Sequence, residues 1–304
     1  MTVMVHAISF VAISAVRQGL PRLLLVMGLL FCSGAHAAPS DTQADIGYMF
    51  DDNVTRAAEG GTKLIDRSYS VNLSHPFIFP IAEHMRALLT GSVGGEIFDL
   101  NKGLNHLTGA VQGEFQYRSS AEFGTPTFSL FAKIAADQYQ SFLRDGSRYS
   151  AGVSIRQAMT DRIQLFGDVA HHVRNGKSMV FDNKDNSVRI NLDYSLGTSG
   201  TIYLGSEYRR GDLVISGSEL WSTNNSNAYA LDDAFPGKDV YSFRFDGTTV
   251  LSTLGYNLGI GPRSSIDFSW RRAHSSVNYV TPSWNNATLN YFVNQYSAVY
   301  LVRF

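Results

Sequence analysis

Between Ile46 and Phe304 apolar and polar side chains alternate almost one for one through segment after segment, and this alternation limits the fold more than any single motif. In "VRINLDYSL", Val188, Ile190, Leu192, Tyr194 and Leu196 share one parity, while Arg189, Asn191, Asp193 and Ser195 share the other. In "VYSFRFD", Tyr241, Phe243 and Phe245 oppose Ser242, Arg244 and Asp246; in "IDFSW", Ile266, Phe268 and Trp270 oppose Asp267 and Ser269. Successive residues of a strand point to opposite faces, so this period of two predicts β-structure throughout. About twelve such segments can be counted, rich in β-branched and aromatic residues, and none shows the 3.6-residue period of an amphipathic helix. Charged residues recur on the polar face from strand to strand. A sheet with an oily core and a wet exterior does not need them so regularly.

The connections sort by length. Short turns are expected near "HPFIFPIAE", "SSAEFGTP", "MTD", "LGTSG" and "GIGPR". Longer polar stretches alternate with them: "TRAAEGGTK", "DLNKGLNH", "SFLRDGS", "NGKSMVFDNKDN", the stretch 212–239, and "HSSVNYVTPSWNN". Tight turns at one end and long loops at the other, along an even-numbered meander, are what a transmembrane barrel requires. The fold class expected is therefore all-β: a closed antiparallel transmembrane barrel of about twelve strands, apolar outside and polar inside.

The leader agrees. Arg17 and Arg22 precede "LLLVMGLLF", which has the length of a signal-peptide core and is too short to span a bilayer; "AHA" follows at 35–37. Residues 1–37 are expected to be removed, leaving 38–304 as one barrel domain. Cys32 is the single cysteine, so the exported chain has no disulfide framework. A net charge of -1 argues against a nucleic-acid partner. No second long apolar run exists, and a chain without one enters a membrane only as a closed barrel. The last strand, "NQYSAVYLVRF", places Tyr296, Ala298, Tyr300, Val302 and Phe304 on one face. It resembles the final strand of Gram-negative outer-membrane proteins. That resemblance implies an outer-membrane location, contact with lipid and lipopolysaccharide, and an assembly signal in Tyr300, Val302 and Phe304 read by the outer-membrane assembly machinery.

The polar faces, taken together, form one wall with both signs of charge. Arg118, Arg156, Arg189, Arg244 and Arg271 are the candidate selectivity residues, faced by acids such as Asp168, Asp193, Asp246 and Asp267. A basic water-filled pore would pass small anionic or sugar-like solutes. The same residues, interlocked as ion pairs, would instead fill the lumen, since about twelve strands lies between barrels that fill and barrels that stay open. The expected function is a narrow diffusion channel working as a monomer. The alternative is a non-conducting barrel serving adhesion, secretion or envelope assembly. Two readings stay open for the stretch 212–239, with Trp221, Tyr229 and Phe235: an inward constriction or a surface loop.

Catalytic and metal chemistry find little support. "HHVRNG", from His171, is similar to a stretch of outer-membrane phospholipase A and would make His172 the base, but Arg174 stands where that family has its serine. His171 and His172 point to opposite faces of a strand, which disfavours joint metal ligation. No motif calls for a cofactor. "IGYMFDDNVTRA", Ile46 to Ala57, resembles the opening strand of barrels in the surface lipoprotein assembly modifier family; Asp51, Asp52 and Asn53 are read as a strand end turning into a polar loop.

Overall fold

The computed structural model describes residues 41–58, 63–217, 226–278 and 289–304. The expected leader and Trp221 lie outside these residues. The described chain is one antiparallel sheet. Its strands are β1 (Gln43–Asp51), β2 (Asp66–Ala82), β3 (Met85–Phe98), β4 (His106–Arg118), β5 (Thr127–Tyr139), β6 (Gly146–Ala158) and β7 (Ile163–Gly176). They continue with β8 (Asn183–Ser195), β9 (Gly200–Gly217), β10 (Ala228–Leu231), β11 (Tyr241–Gly261), β12 (Ser264–Val277) and β13 (Asn290–Arg303). Twelve of them close into a barrel; β10 is a short extra strand on the far side of β11.

Closure is made by β13 on β1, in register from Arg303 opposite Gln43 to Gln295 opposite Asp51. Each of the twelve strands is paired on both sides over most of its length, so the ring closes without a free edge strand; the end of β2 past Ser74 pairs with β3 alone. One end of the seam, Gln43 beside Arg303, lies at the same end of the barrel as the connections 83–84, 119–126, 159–162, 196–199 and 262–263. The opposite end carries the longest connections, 52–65, 218–240 and 278–289, together with 99–105, 140–145 and 177–182, which are shorter than the eight-residue turn 119–126. From a strand spacing near 4.8 Å and a tilt near 40°, twelve strands give roughly 24 Å between opposite walls.

The outward face is apolar almost all the way round. Val188, Ile190, Leu192, Tyr194 and Leu196 are all exposed, as are Ile46, Tyr69, Val71, Leu130, Val153, Leu204, Leu254, Phe268 and Tyr296. Exposure of so many large apolar side chains makes sense only against lipid. Tyr300 and Phe304 are exposed with them.

Two expectations about local structure change. "HPFIFPIAE" is strand for most of its length: β2 runs through Pro76 and Pro80, and only Glu83 and His84 turn. Two prolines read as a turn signal, but a strand tolerates proline where its missing N–H is not needed or at a bulge; the register slips between Pro80 and Ala82. The second change concerns "VYSFRFD". Phe243 and Phe245 do not face lipid; both are buried. They share the parity of Leu251, which is buried, and oppose that of the exposed Val250 and Leu254.

The reason lies in where β9 and β11 leave the wall. Pairing of β8 with β9 stops at Gly211, and pairing of β11 with β12 stops at Gly247. These two glycines face each other. Beyond them β9 and β11 stay paired with each other up to Gly217 opposite Tyr241, and β10 joins the other side of β11 at Tyr241–Arg244, so they leave the wall as a narrow arm. Gly211 has φ of 149°, and a Cβ there would come within 2.1 Å of the Lys184 carbonyl oxygen, so only glycine permits the bend. The arm presses Leu213, Ile215, Phe243 and Phe245 against Ala58, Val277, Leu289, Tyr291 and Val293. An apolar face of period two is thus buried inside the mouth instead of in the bilayer.

Candidate functional site

The site is the lumen and the mouth above it. Inward positions follow from the ladder. His106, Thr108, Gln112, Glu114 and Arg118 of β4 share the parity that faces Asp137 and Lys133 of β5. Arg148 and Arg156 of β6, Asp168 and His172 of β7, and Asp185, Arg189 and Asp193 of β8 continue it. Glu207 and Arg209 of β9, then Asp267 and Arg271 of β12, complete the girdle.

Three ion pairs sit on this wall: Arg148–Asp137 at 2.6 Å, Arg189–Asp168 at 2.6 Å and Arg209–Glu207 at 2.6 Å. The carboxylates are sunk between neighbours, but the arginine side chains are 50%, 42% and 37% exposed. Side chains that point inward and still meet water show that the space between the walls is open at this level. A packed lumen would have buried both partners.

Of the five candidate selectivity arginines, four face the lumen. Arg118 lies at the turn end and donates to the Glu122 carbonyl at 2.7 Å. Arg156 and Arg189 flank one ring, Phe166, at 5.6 and 5.3 Å from its centroid. Arg189 is also the partner of Asp168. The Arg271 guanidinium makes no ion pair or hydrogen bond among the described residues; Glu207, Arg209, Arg56 and Arg189 are the charges around it. Arg244 is different. It stands on the arm, on the parity opposite to the wall, and donates to the Asp182 carbonyl at 2.6 Å. Asp246 shares that face. Strict alternation carried both into the inventory of wall residues, and the bend at Gly247 takes them out of it.

The wall carries both signs. Lys133 and Arg271 are surplus positive charges beside self-neutralising pairs, while Asp193 and Asp267 have neutral or distant partners. Asp267 accepts from the Tyr203 hydroxyl at 2.8 Å. To make that bond Tyr203 lies flat across Gly255, where a Cβ would meet its ring at 2.1 Å. Gly255→Val is expected to lift Tyr203 off the wall into the lumen and lower single-channel conductance. The barrel should still form, since the displaced group is the far end of a side chain.

His172 bonds to the Ser187 hydroxyl at 3.0 Å and faces the lumen, while His171 is exposed and meets Asn186 at 2.9 Å. The pair points to opposite faces. Ser187 is buried in the wall, and no hydrogen bond to a carboxylate orients His172 among the described residues, so a nucleophile–base–acid arrangement is not built here.

The mouth is closed by two inward segments. The first follows β1. Asn53 is fully buried; its amide nitrogen donates to the carbonyls of Ala57 (2.9 Å) and Phe292 (3.1 Å), and its oxygen accepts from the Ala57 N–H (2.9 Å) and the Thr55 hydroxyl (3.1 Å). Arg56 pairs with Asp51 at 2.9 Å, and Asp52 holds Asn294 through two bonds of 2.7 Å. The Asp51–Asp52–Asn53 step is thus a buried knot and not a solvated strand end. Alternation cannot show this, because the bonds run within the turn, to backbone groups or to β13 across the seam.

The second segment, Asp232–Val240, joins β10 to β11 and reaches across the mouth. Asp232 takes a 2.5 Å ion pair from Arg144, whose guanidinium lies 4.4 Å over the Phe181 ring and 5.8 Å from Phe235. Asp233 accepts from the Ser141 hydroxyl and from the Phe142 N–H at 2.8 Å. Lys238 donates to Asn101 at 2.9 Å. Ala234 and Phe235 are buried with Val54, Phe98, Leu104 and Val240. Asp66, another buried acid missed by sequence reasoning, holds this rim by accepting from the N–H groups of Leu100 (3.0 Å) and Asn101 (2.8 Å). Of the stretch 212–239, the arm and Phe235 fold inward, while Tyr229 stays exposed.

No family model matches the chain, and no curated protein matches it. Among solved structures its fold is similar to an outer membrane channel from Pseudomonas putida F1, with a TM-score of 0.53 at 9% identity over 89% of this chain and 98% of that one. The KdgM porin in complex with disordered oligogalacturonate gives 0.47 at 9% identity, over 86% and 99%. The NanC porin gives 0.45 at 9% identity, over 85% and 98%. The likeness is one of fold: the chain is an outer-membrane β-barrel.

Proposed function

We propose that this barrel is a narrow diffusion channel for small hydrophilic solutes, sugar-like or carrying a single negative charge. The observation that carries the reading is the water-accessible girdle of Arg148, Arg189 and Arg209 inside a closed wall. Neutral ion pairs and hydroxyls suit polar solutes, and the surplus charges of Lys133 and Arg271 favour anions locally. Arg118, Arg156 and Arg189 contribute as wall donors, whereas Arg244 serves the mouth. The barrel works as a monomer in lipid and lipopolysaccharide, and Tyr300, Val302 and Phe304 present its last strand to the assembly machinery.

The plugged mouth favours a second reading, a non-conducting barrel used in adhesion, secretion or envelope assembly. One experiment separates the two. The refolded barrel, checked by its heat-sensitive gel mobility, is placed in a planar bilayer under a salt gradient, and swelling of proteoliposomes is followed in glucose and in glucuronate. Discrete current steps, with swelling in both sugars and a faster rate in glucuronate, are expected. A folded barrel with neither current nor swelling, even when the segment 226–240 is shortened to a tight turn, would overturn the channel.

A further inference from the structure

We infer that the segment Asp232–Val240 is a hinged gate, latched shut across the mouth by Arg144, and that solute passes only when it lifts. This rests on the channel reading. The mount is rigid: the arm of β9 and β11 keeps its own ladder and its apolar face on β12 and β13. The tip it carries is different in kind. Only Ala234, Phe235 and Val240 of the tip enter an apolar cluster, and its remaining attachments are polar and few. Across the mouth they run to three separate loops, Asn101 beyond β3, Ser141 to Arg144 beyond β5, and Phe181 through the Arg144 guanidinium, while Asp232 also accepts from the Ser242 hydroxyl of its own arm at 2.8 Å.

None of these attachments belongs to the barrel ladder, so the tip can leave without breaking a pair of wall strands. Positive φ at Gly237 (72°) and Asp239 (48°) folds it into a compact turn that moves as one piece. The fit is close where it lands. A Cβ on Gly103 would come within 2.4 Å of the Ala234 Cα, so the rim is shaped to receive the tip. A surface loop without a closing role would not need two carboxylates that meet a cation and a hydroxyl on the opposite rim, nor a glycine seat there.

The test is a reversible lock. Ser141→Cys and Asp233→Cys replace two side chains already in contact, in a chain whose one cysteine, Cys32, lies in the expected leader. The folded double variant is joined by a short bis-methanethiosulfonate, each cysteine displacing methanesulfinate to form a disulfide that dithiothreitol cleaves; the cross-link is confirmed on a gel, and current is recorded before and after cleavage. Current absent when cross-linked, and above the wild-type level after cleavage, is the expected result. Equal current in both states overturns the gate and leaves the channel standing. Should the double variant not fold, Asp232→Asn serves instead: a larger open fraction than wild type supports the gate, and an unchanged one overturns it. No current in any form, the shortened segment included, removes the channel reading itself.

Discussion

For the channel proposed above, replacing Lys133 and Arg271 together by Glu is expected to shift ion selectivity strongly toward cations. The argument is one of surplus charge. Arg148, Arg189 and Arg209 each stand beside their own carboxylate, so an ion passing them meets nearly neutral pairs. Lys133 has Arg148 and Asp137 as its charged neighbours, and Arg271 has Glu207 against three arginines. Both therefore add net positive charge to the girdle. In water an ion about 5 Å from a unit charge gains or loses roughly 0.8 kcal/mol, and screening at physiological salt removes about half of it. Reversal doubles the change and moves anions and cations in opposite senses. The chloride-to-potassium permeability ratio should fall by about tenfold or more, read from the reversal potential. Arg189→Gln offers the contrast, since it leaves Asp168 unpaired and should also favour cations, by a smaller factor. A ratio that ignores the double reversal would place the conducting path elsewhere.

The second large effect is on stability. Asn53→Leu keeps the branched heavy-atom shape of a fully buried side chain, with bulkier methyl ends, and removes both donors and both accepting positions from the knot below the mouth. The Ala57 and Phe292 carbonyls and the Ala57 N–H lose partners that water cannot easily replace. A loss of about 3–5 kcal/mol is expected, with the temperature of the gel-mobility shift falling accordingly. Thr55→Val, which removes one hydroxyl from the same knot, should cost about 1 kcal/mol. Similar losses for the two variants would mean that Asn53 is held by its neighbours and does not hold them.

Much of this architecture is legible in the residues. Alternation in Val188–Leu196 and in Tyr296–Phe304 places each side chain on its observed face, and the sorting of short and long connections places the two ends of the barrel. Alternation reports a face, though, and not the medium that covers it. Phe243 and Phe245 have the same pattern as Ile190 and Leu192, yet lie against protein because Gly211 and Gly247 turn the arm inward. The bend depends on two glycines far apart in sequence meeting across a ladder, which no local window contains. The girdle is legible in type, as arginines and acids on the polar face. Which of them neutralise each other depends on the stagger between strands, so the surplus role of Lys133 and the displaced place of Arg244 emerge only once the strands are paired.

The β13–β1 seam has a consequence for how such a chain comes together. Apart from this seam and the pairing of β9 with β11 around the β10 excursion, each wall pairing joins consecutive strands. Those local hairpins close small loops and can form quickly, whereas bringing Gln43 beside Arg303 closes nearly the whole barrel segment at once. The same junction carries added fastenings at both ends. Thr42 and Phe304 exchange backbone bonds of 2.9 and 3.0 Å at one end, and Asp52 to Asn294 and Asn53 to Phe292 tie the other. The step that is entropically hardest to reach is thus also the one most heavily fastened afterwards. Such a barrel should close late and reopen slowly, with a lifetime set by the unfolding barrier at this one junction.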